Sequence, residues 1–292
     1  MTDISVIILI GQEKIHLKRC IERLAPLNPR QIFLVESQPD DGGVAIAKET
    51  AARLGLRLET KYNKWPGLYA KQFNWALDFV ERQSKSGVEV EQRTGWILRL
   101  DADEYLTPDT IEKLKKFLCT TTTSDYDSCD AVAGLTLELK RKFMGGEIRH
   151  ATNGIRLVRL FRRGKGRLED RAMDEHVIVD GKVVDFDGAF YDDNLNGLDW
   201  WKEKHRGYAK REAQDAIALF ADKSRMANPS PTDRKKIAYY KLPRYLRAVM
   251  YFGLRYVLKG GFLDGKVGWR WNFWQGLWYR WIVDWEIGRI SG

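Results

Sequence analysis

The first 120 residues alternate between short apolar runs and longer segments with helical periodicity. Residues 4–10 form a near-continuous apolar run, Ile-Ser-Val-Ile-Ile-Leu-Ile, which predicts a strand buried on both faces. The other predicted elements are strands at 31–35, 56–60 and 96–100 and helices at 13–24, 44–54, 69–80 and 107–118. Such alternation predicts a mostly parallel sheet with right-handed crossovers.

The pattern changes in the second part of the chain. The predicted elements are strands at 131–143 and 155–162, a hairpin of 177–179 with 183–184, a helix at 200–220 and a linker at 227–233. Asp180-Gly181 is the expected hairpin turn, and Pro and Ser residues mark the linker.

Three carboxylates follow directly after the strand predicted at 96–100. Asp101, Asp103 and Glu104 stand where open α/β sheets bind their ligands, at the carboxyl end of a buried strand. Asp101 and Asp103 could offer oxygens to one hard divalent cation, which takes its other ligands from water and phosphate. The alternative is an ordinary acidic turn before a helix, and the stretch alone favours neither. Glu104 is expected only to cap the turn.

The net charge of +9 is concentrated at the C-terminal end of the chain. Residues 234–292 hold twelve Lys and Arg against three acids, so the remaining residues sum to zero. Five of these cations fall within about 120° of helix circumference: Lys241, Arg244, Arg247, Arg255 and Lys259. With six Trp residues after 260, this pattern is typical of helices that lie on anionic membranes. Ordinary packing of a helical layer is the alternative, and no nucleic-acid recognition motif is present.

Composition restricts the class of protein further. At 44% hydrophobic and 30% charged residues the chain is globular rather than disordered. Three scattered cysteines without metal-finger spacing favour a reducing compartment, and we recognise no signal peptide or apolar run of about 18 residues. His16, His150 and His205 have no partner at useful spacing and are expected to be structural or surface residues.

Several short motifs occur in a characteristic order. They are Ser5-Val6-Ile7-Ile8 with Glu13, Val35-Glu36-Ser37 with Asp41-Gly42, and Leu100-Asp101-Ala102-Asp103-Glu104. Their order and spacing resemble the inverting glycosyltransferases of family 2, which have the GT-A fold. The departures are Leu9-Ile10-Gly11-Gln12, where the family often has Pro-Thr-Tyr-Asn, and Glu36 in place of an Asp that contacts the base.

Three further motifs resemble one subgroup of that family, the lipopolysaccharide-core β-glucosyltransferases. They are Trp65-Pro66-Gly67 with Lys71-Gln72-Phe73-Asn74, the run 156–166, and Gly261-Phe262-Leu263-Asp264-Gly265. The last is similar to exopolysaccharide transferases as well.

The resemblance implies an α/β fold of the GT-A type. We expect a Rossmann-like, mostly parallel central sheet flanked by helices, with a C-terminal amphipathic helical extension. The expected catalytic domain is 1–226, with a nucleotide-binding half at 1–105 and an acceptor half at 106–226. Residues 227–292 form the expected basic, Trp-rich membrane-association region.

The resemblance also implies the ligands of the donor site. The expected nucleotide contacts are Ile10, Glu13, Glu36, Lys71, Asn74, Asp101 and Ala102. Lys71 and Asn74 are one helical turn apart, and a solvent-facing pair is an equal alternative. The basic strand end with Arg162 and Lys165 is assigned to the donor diphosphate.

The expected cofactor is Mn2+ or Mg2+, since oxygen ligands suit hard cations and no Cys/His cluster is present. Asp103 is the predicted direct ligand, and Asp101 shares the metal or binds the ribose. Asp192 falls where related enzymes often have a metal-site His, although a loop that caps the next helix is slightly favoured.

A base must take the proton from the acceptor hydroxyl in an inverting transfer. The subgroup's His-Glu pair aligns Glu175 with the catalytic carboxylate, and Asp174 is the close second. Without the resemblance, a solvated acidic loop is the favoured interpretation.

Together these features predict a metal-dependent inverting glycosyltransferase of bacterial surface polysaccharide synthesis. We expect it to use a nucleotide diphosphate sugar, with UDP favoured, and a lipid-linked oligosaccharide or lipopolysaccharide-core acceptor. The expected location is the cytoplasmic face of the inner membrane, contacted through residues 234–292. The alternatives are a catalytically silent carbohydrate- or membrane-binding protein on the same fold and, less favoured, a glycosidase with paired carboxylates.

Overall fold

The protein is represented by a computed structural model that describes residues 1–39, 41–85, 95–120, 132–150, 154–169 and 175–291. The chain divides into two compact units. The first unit is Met1–Lys140 with Gly154–Leu195, and the second is Arg141–Asn153 with Asn196–Gly292.

The described residues form strands and helices that follow the predicted order. The strands are β1 Thr2–Ile10, β2 Pro29–Glu36, β3 Leu58–Tyr62, β4 Trp96–Asp101, β5 Glu104–Leu106, β6 Val132–Phe143, β7 Gly146–Ile148, β8 Arg156–Arg162, β9 Gly166–Leu168, β10 Val177–Val179 and β11 Lys182–Asp193. The helices are α1 Lys14–Leu24, α2 Gly43–Arg53, α3 Tyr69–Lys85, α4 Pro108–Thr120, α5 Leu198–Ala221, α6 Lys223–Ala227, α7 Pro231–Tyr240, α8 Leu246–Gly253, α9 Gly265–Trp271 and α10 Tyr279–Ser291. Residues 254–258 and 272–278 are π-helical, and 25–27 and 261–264 form 3₁₀ turns.

The sheet of the first unit has the order β3-β2-β1-β4-β8-β6-β11-β5. Strands β1 to β4 pair in parallel, as the alternation of strands and helices predicts. Strand β8 runs antiparallel to β4 and to β6, and β5 runs antiparallel to β11. In the second unit, the last residues of β6 pair with β7.

The central strands are buried on both faces. Val6, Ile8 and Ile10 of β1 join one apolar cluster, and Ile7 and Leu9 join the other. The first cluster includes residues of α1, α2 and α4, and the second includes α3 and the β9–β10 ribbon. The continuous apolar run at 4–10 is therefore explained by helices or strands on each side of the sheet.

Two local predictions are corrected. Strand β3 begins at Leu58 rather than at 56, because the Leu56 N–H still bonds to the Ala51 carbonyl of α2 at 2.9 Å. The predicted hairpin is wrong: β10 pairs with β9, with Val177 opposite Leu168, and β11 pairs with β5. Asp180-Gly181 therefore links two different sheets.

The second unit is a helical layer with its own core. Ala209, Ala213 and Ala216 of α5 form a small-residue stripe, which packs with Tyr279, Val283 and Ile287. Small side chains at this spacing let α5 and α10 approach closely. The compact units consequently do not coincide with the predicted boundary at 226/227, since α5 packs with the C-terminal helices. The functional division at that boundary stays a prediction.

The C-terminal amphipathic helix is arranged differently from the prediction. Helix α8 begins only at Leu246, so Lys241 and Arg244 precede it. Arg247 and Arg255 are 3% and 6% exposed, so the predicted cationic face is directed partly into the unit. For Arg247 the physical reason is Asp284, a fully buried carboxylate of α10 that accepts hydrogen bonds from the Arg247 guanidinium and, at 2.7 Å, from the Tyr245 N–H. The Arg255 guanidinium lies over the rings of Tyr251 and Trp271. None of the described helices combines the length and hydrophobicity needed to span a bilayer.

Replacing Asp284 with Asn should lower the free energy of unfolding by about 3 kcal/mol, because it leaves the buried Arg247 guanidinium without its counter-charge. Urea denaturation followed by circular dichroism measures this loss. The matched control is Asp199→Asn, since the Asp199 side chain is 98% exposed, and its effect should stay under about 0.5 kcal/mol. Equal losses in the two variants would contradict the structural role of the pair.

Candidate active site

The carboxyl ends of three parallel strands lie side by side in the first unit. In the strand register, Ile10 of β1 is opposite Glu36 of β2, and Leu9 is opposite Asp101 of β4. The predicted nucleotide-contacting residues Ile10, Glu36 and Asp101 therefore meet at one edge of the sheet. This is the edge at which open α/β sheets bind their ligands.

The acidic turn after β4 is held by buried polar contacts. The Glu104 carboxylate is 5% exposed, accepts a 3.0 Å hydrogen bond from the Asp101 N–H and forms an ion pair with Arg159 of β8. Burial raises the pKa of the Glu104 carboxyl, and the Arg159 guanidinium opposes that shift. Glu104 thus closes the turn that contains Asp101, Ala102 and Asp103, which is more than the predicted cap.

The Asp101 side chain is oriented by helix α3. The Tyr69 hydroxyl donates a hydrogen bond to Asp101 Oδ1, and burial raises the pKa of Tyr69, so that the hydroxyl keeps its proton. The Arg99 guanidinium lies 4.9 Å from the centre of the Tyr69 ring. Tyr69 and Arg159 are positioning residues that the sequence analysis missed. The only sequence signal for Tyr69 is its place at the start of the helix that carries Lys71 and Asn74.

Asp103 lies among other carboxylates. Burial, together with repulsion from the Asp192 and Asp101 carboxylates, raises the pKa of Asp103 to about 6. Its Oδ2 accepts a 2.9 Å hydrogen bond from Asn194, and its carbonyl accepts one of 3.1 Å from the Asp193 N–H. The structure therefore brings Asp192, on β11, to the acidic turn. Asp192 belongs to a strand and not to a helix-capping loop.

Glu13 and His16 form a second polar contact near this edge. His16 is fully buried; its Nε2 accepts a 3.0 Å hydrogen bond from the Leu195 N–H, which leaves the proton on Nδ1 to be donated to Glu13 at 2.7 Å. The expectation that His16 has no partner is wrong. The sequence signal for this contact was the i, i+3 spacing of Glu13 and His16 at the start of α1. Glu13 is close enough to raise the pKa of Asp103.

Lys71 and Asn74 differ in their surroundings. Lys71 is exposed on α3. The Asn74 amide bonds twice to the backbone of Leu168 on β9, as donor to its carbonyl and as acceptor from its N–H, each at 3.0 Å. Asn74 therefore attaches the β9–β10 ribbon to α3, and both ends of its amide are occupied.

Arg162 and Lys165 do not lie where the predicted diphosphate contact requires them. In the antiparallel pair of β8 with β4, Arg162 is opposite Trp96, the first residue of β4, whereas Asp101 is the last. Five residues of strand separate these positions by about 17 Å. Arg162 is buried over the Trp96 ring, and Lys165 bonds to Asp180 at 3.1 Å. The basic motif therefore belongs to the opposite edge of the sheet.

Glu175 is partly buried and precedes β10 by two residues. Strand β10 pairs with β9, which Asn74 attaches to α3, and α3 begins at Tyr69, the residue that holds Asp101. One helix thus supports both the ribbon that follows Glu175 and the acidic turn. Asp174 lies outside the described residues.

The carboxylate oxygens at the acidic turn are ligands that suit a hard cation. Asp103 and Asp192 could offer carboxylate oxygens to a divalent cation, which would relieve their mutual repulsion. Among the described residues, no three His, Cys, Asp or Glu side chains form a complete metal site. A site with one or two carboxylates fits Mg2+ or Mn2+ that also binds substrate phosphates and water.

Comparison with known families now identifies the class of protein. The profile of Glycosyl transferase family 2 matches residues 5–177, which is more than half of the chain. The chain belongs to this family and is a nucleotide-sugar glycosyltransferase. The predicted enzyme class and the GT-A fold are confirmed. No curated protein sequence matches the chain significantly.

Solved structures similar to this chain are distant in sequence. Two are crystal structures of S. aureus TarS 1–349, in complex with UDP-GlcNAc or with UDP; each is 12% identical, with 99% of this chain and 92% of that chain covered and TM-scores of 0.44 and 0.43. A third is a putative glucose-1-phosphate thymidylyltransferase from Bacillus anthracis in complex with a sucrose, 10% identical, with 65% of this chain and 89% of that chain covered and a TM-score of 0.35. These similarities are too distant for assigning individual residues.

Tyr69→Phe should weaken the binding of a nucleoside diphosphate with Mn2+ about fivefold, because it removes one hydrogen bond of about 1 kcal/mol that orients Asp101. Isothermal titration measures the affinity. Tyr240→Phe is the matched control, because its hydroxyl donates to Glu212 of the second unit. Equal affinities for wild type and Tyr69→Phe would show that Tyr69 does not position Asp101 for the ligand.

Proposed function

We propose that this protein is a metal-dependent, inverting glycosyltransferase that passes one sugar from a nucleotide diphosphate sugar to a lipid-linked glycan. A UDP-sugar is the favoured donor. An oligosaccharide lipid or a lipopolysaccharide core of bacterial surface polysaccharide synthesis is the favoured acceptor. The family membership supports the reaction class, and the finer assignments rest on the resemblance of the motifs.

The observation that carries the proposal is the group of carboxylates at the carboxyl end of β4. Asp101 and Asp103 follow the central parallel strand, and Asp192 is close enough to raise the pKa of Asp103. Partly buried carboxylates that repel one another are stabilised when a cation is bound between them. The geometry therefore supports a donor site in which a cation neutralises the diphosphate.

The residues of this chain have distinct roles in the proposed reaction. Asp103, with Asp192, would hold the cation, which when bound stabilises the negative charge of the leaving diphosphate. Asp101, held by Tyr69, would share the metal or bind the ribose. Glu36, the last residue of β2, and Glu13, which follows β1 and directly precedes α1, would contact the nucleotide.

Inversion requires the acceptor hydroxyl to attack from the side opposite the diphosphate. The Glu175 carboxylate would take the proton from that hydroxyl as the new glycosidic bond forms and the bond to the diphosphate breaks. Asp174 remains the second candidate for the base. Arg162 and Lys165 have no part in this proposal, because they lie at the other edge of the sheet.

Asp103→Asn should abolish the Mn2+-dependent thermal stabilisation by nucleotide sugars, because the principal oxygen ligand loses its charge. A thermal-shift screen of nucleotide sugars with Mn2+ provides the measurement and identifies the donor. Asp109→Asn, at a side chain 68% exposed on α4, should behave like wild type. No stabilisation of the wild-type protein by any nucleotide sugar with Mn2+ would contradict the proposed metal-dependent donor site.

Glu175→Gln should lower turnover of the donor identified in that screen by at least about a hundredfold, because proton transfer to a positioned base contributes this much. Nucleotide release, measured with a glycan acceptor, gives the rate, and the thermal shift should be unchanged. Glu112→Gln, at a side chain 65% exposed, is the control. If Asp174→Asn causes the loss and Glu175→Gln does not, Asp174 is the base.

A further inference from the structure

The second unit exposes apolar side chains along the segment for which the sequence predicts an amphipathic helix with a cationic face. One stripe runs along α8 and the π-helical turn after it: Leu246, Val249, Met250, Leu254, Val257 and Leu258. Their exposures range from 43% for Leu254 to 79% for Leu258. The inward direction of Arg247 and Arg255 is the physical cause, because the opposite face of the helix is thereby directed to the surface.

The following turn and helix α9 extend this stripe. Phe262, Leu263 and Trp269 are 49%, 61% and 48% exposed. The Tyr256 ring lies 5.4 Å from that of Trp269 and 6.3 Å from that of Phe262, so these side chains adjoin the π-helical turn. We call the stripe together with these three residues the apolar patch. Large contiguous apolar surfaces of this kind mark sites of interaction with a protein or a membrane.

The exposed charges of the segment that carries the apolar patch have one sign. In the segment 241–270 the exposed charged side chains are all cationic: Lys241, Arg244, Lys259, Lys266 and Arg270. The only acid of the segment is Asp264. Its side chain is 2% exposed, pairs with His150 and accepts hydrogen bonds from the Arg149 and His150 N–H groups. This segment therefore presents apolar groups and positive charge to a surface that approaches it.

We propose that the apolar patch inserts into the headgroup region of an anionic lipid bilayer, with the surrounding Lys and Arg side chains on the lipid phosphates. Charge complementarity selects this partner, because a second copy of the chain would bring the same cations together and repel them. Aromatic and aliphatic side chains can enter the boundary between headgroups and acyl chains, and cations beside them can contact the lipid phosphates above it. The inference goes beyond the proposed function and does not depend on which sugar is transferred.

Insertion differs from purely electrostatic adsorption of the basic side chains. A basic helix face would bind through its charges, and removal of apolar side chains would have little effect. In the inserted arrangement both the apolar side chains and the cations contribute to the binding free energy, because apolar surface is removed from water while the cations contact lipid phosphates. The two arrangements can be separated with substitutions at exposed positions, where folding is not at risk.

The experiment is flotation of the full chain with vesicles of neutral phosphatidylcholine, with or without phosphatidylglycerol. Wild type should float with the phosphatidylglycerol vesicles. The double variant Leu258→Ser with Leu263→Ser should bind them at least tenfold more weakly, because two of the most exposed apolar side chains are lost. The double variant Lys259→Gln with Lys266→Gln should have about fivefold lower affinity per lysine for these vesicles. Its affinity for neutral vesicles should be unchanged.

Ile178→Ser is the matched control, since Ile178 is 54% exposed but belongs to the first unit. It should float like wild type, and circular dichroism should confirm that all variants are folded. Wild type that stays in the dense fraction, or a serine double variant that floats like wild type, would overturn the proposal. A dimer that the serine double variant dissociates, without flotation of wild type, would assign the patch to a second copy instead. Donor hydrolysis by the serine double variant should remain normal, which separates this test from that of the proposed function.

Discussion

The buried ion pair between Arg159 and Glu104 is the interaction on which the acidic turn after β4 depends. Glu104 accepts a hydrogen bond from the Asp101 N–H. Its charge is compensated by the guanidinium of Arg159 on β8, the strand beside β4. Without Arg159, three carboxylates within four residues would repel one another at the edge of an apolar core. Tyr69 from α3 and Asn194 after β11 hold Asp101 and Asp103 by single hydrogen bonds. The acidic turn is thus held from β8, α3 and the end of β11.

A second buried ion pair determines the surface of the helical unit. Asp284 is fully buried on α10 and draws the Arg247 guanidinium inward, so the amphipathic segment presents apolar side chains to the surface. A single buried carboxylate therefore removes one of the five predicted cations from the surface, while Lys241, Arg244 and Lys259 stay exposed. The same pattern of residues is compatible with both orientations, and the counter-charge decides between them.

Much of the fold follows from local patterns. The parallel strands β1 to β4 and the helices between them are set by apolar runs and helical periodicity, and Asp101 falls at the end of β4 as predicted. The prediction of a hairpin at 177–184 is wrong because a turn signal in the sequence identifies a turn but not the partner of each strand. The diphosphate contact predicted for Arg162 and Lys165 conflicts with the structure for a related reason. Only the antiparallel pairing of β8 with β4 reveals that the end of β8 meets the beginning of β4.

The sequence by itself determined the class of fold, the order of its elements, the acidic turn and the resemblance to a glycosyltransferase family. These are encoded in residues that are close in the chain. Tertiary structure decided which distant groups meet: Asp192 with Asp103, Arg159 with Glu104, His16 with the Leu195 backbone, and Arg247 with Asp284. The physical reason is that a buried charge or polar group needs a partner, and packing, not sequence spacing, provides one.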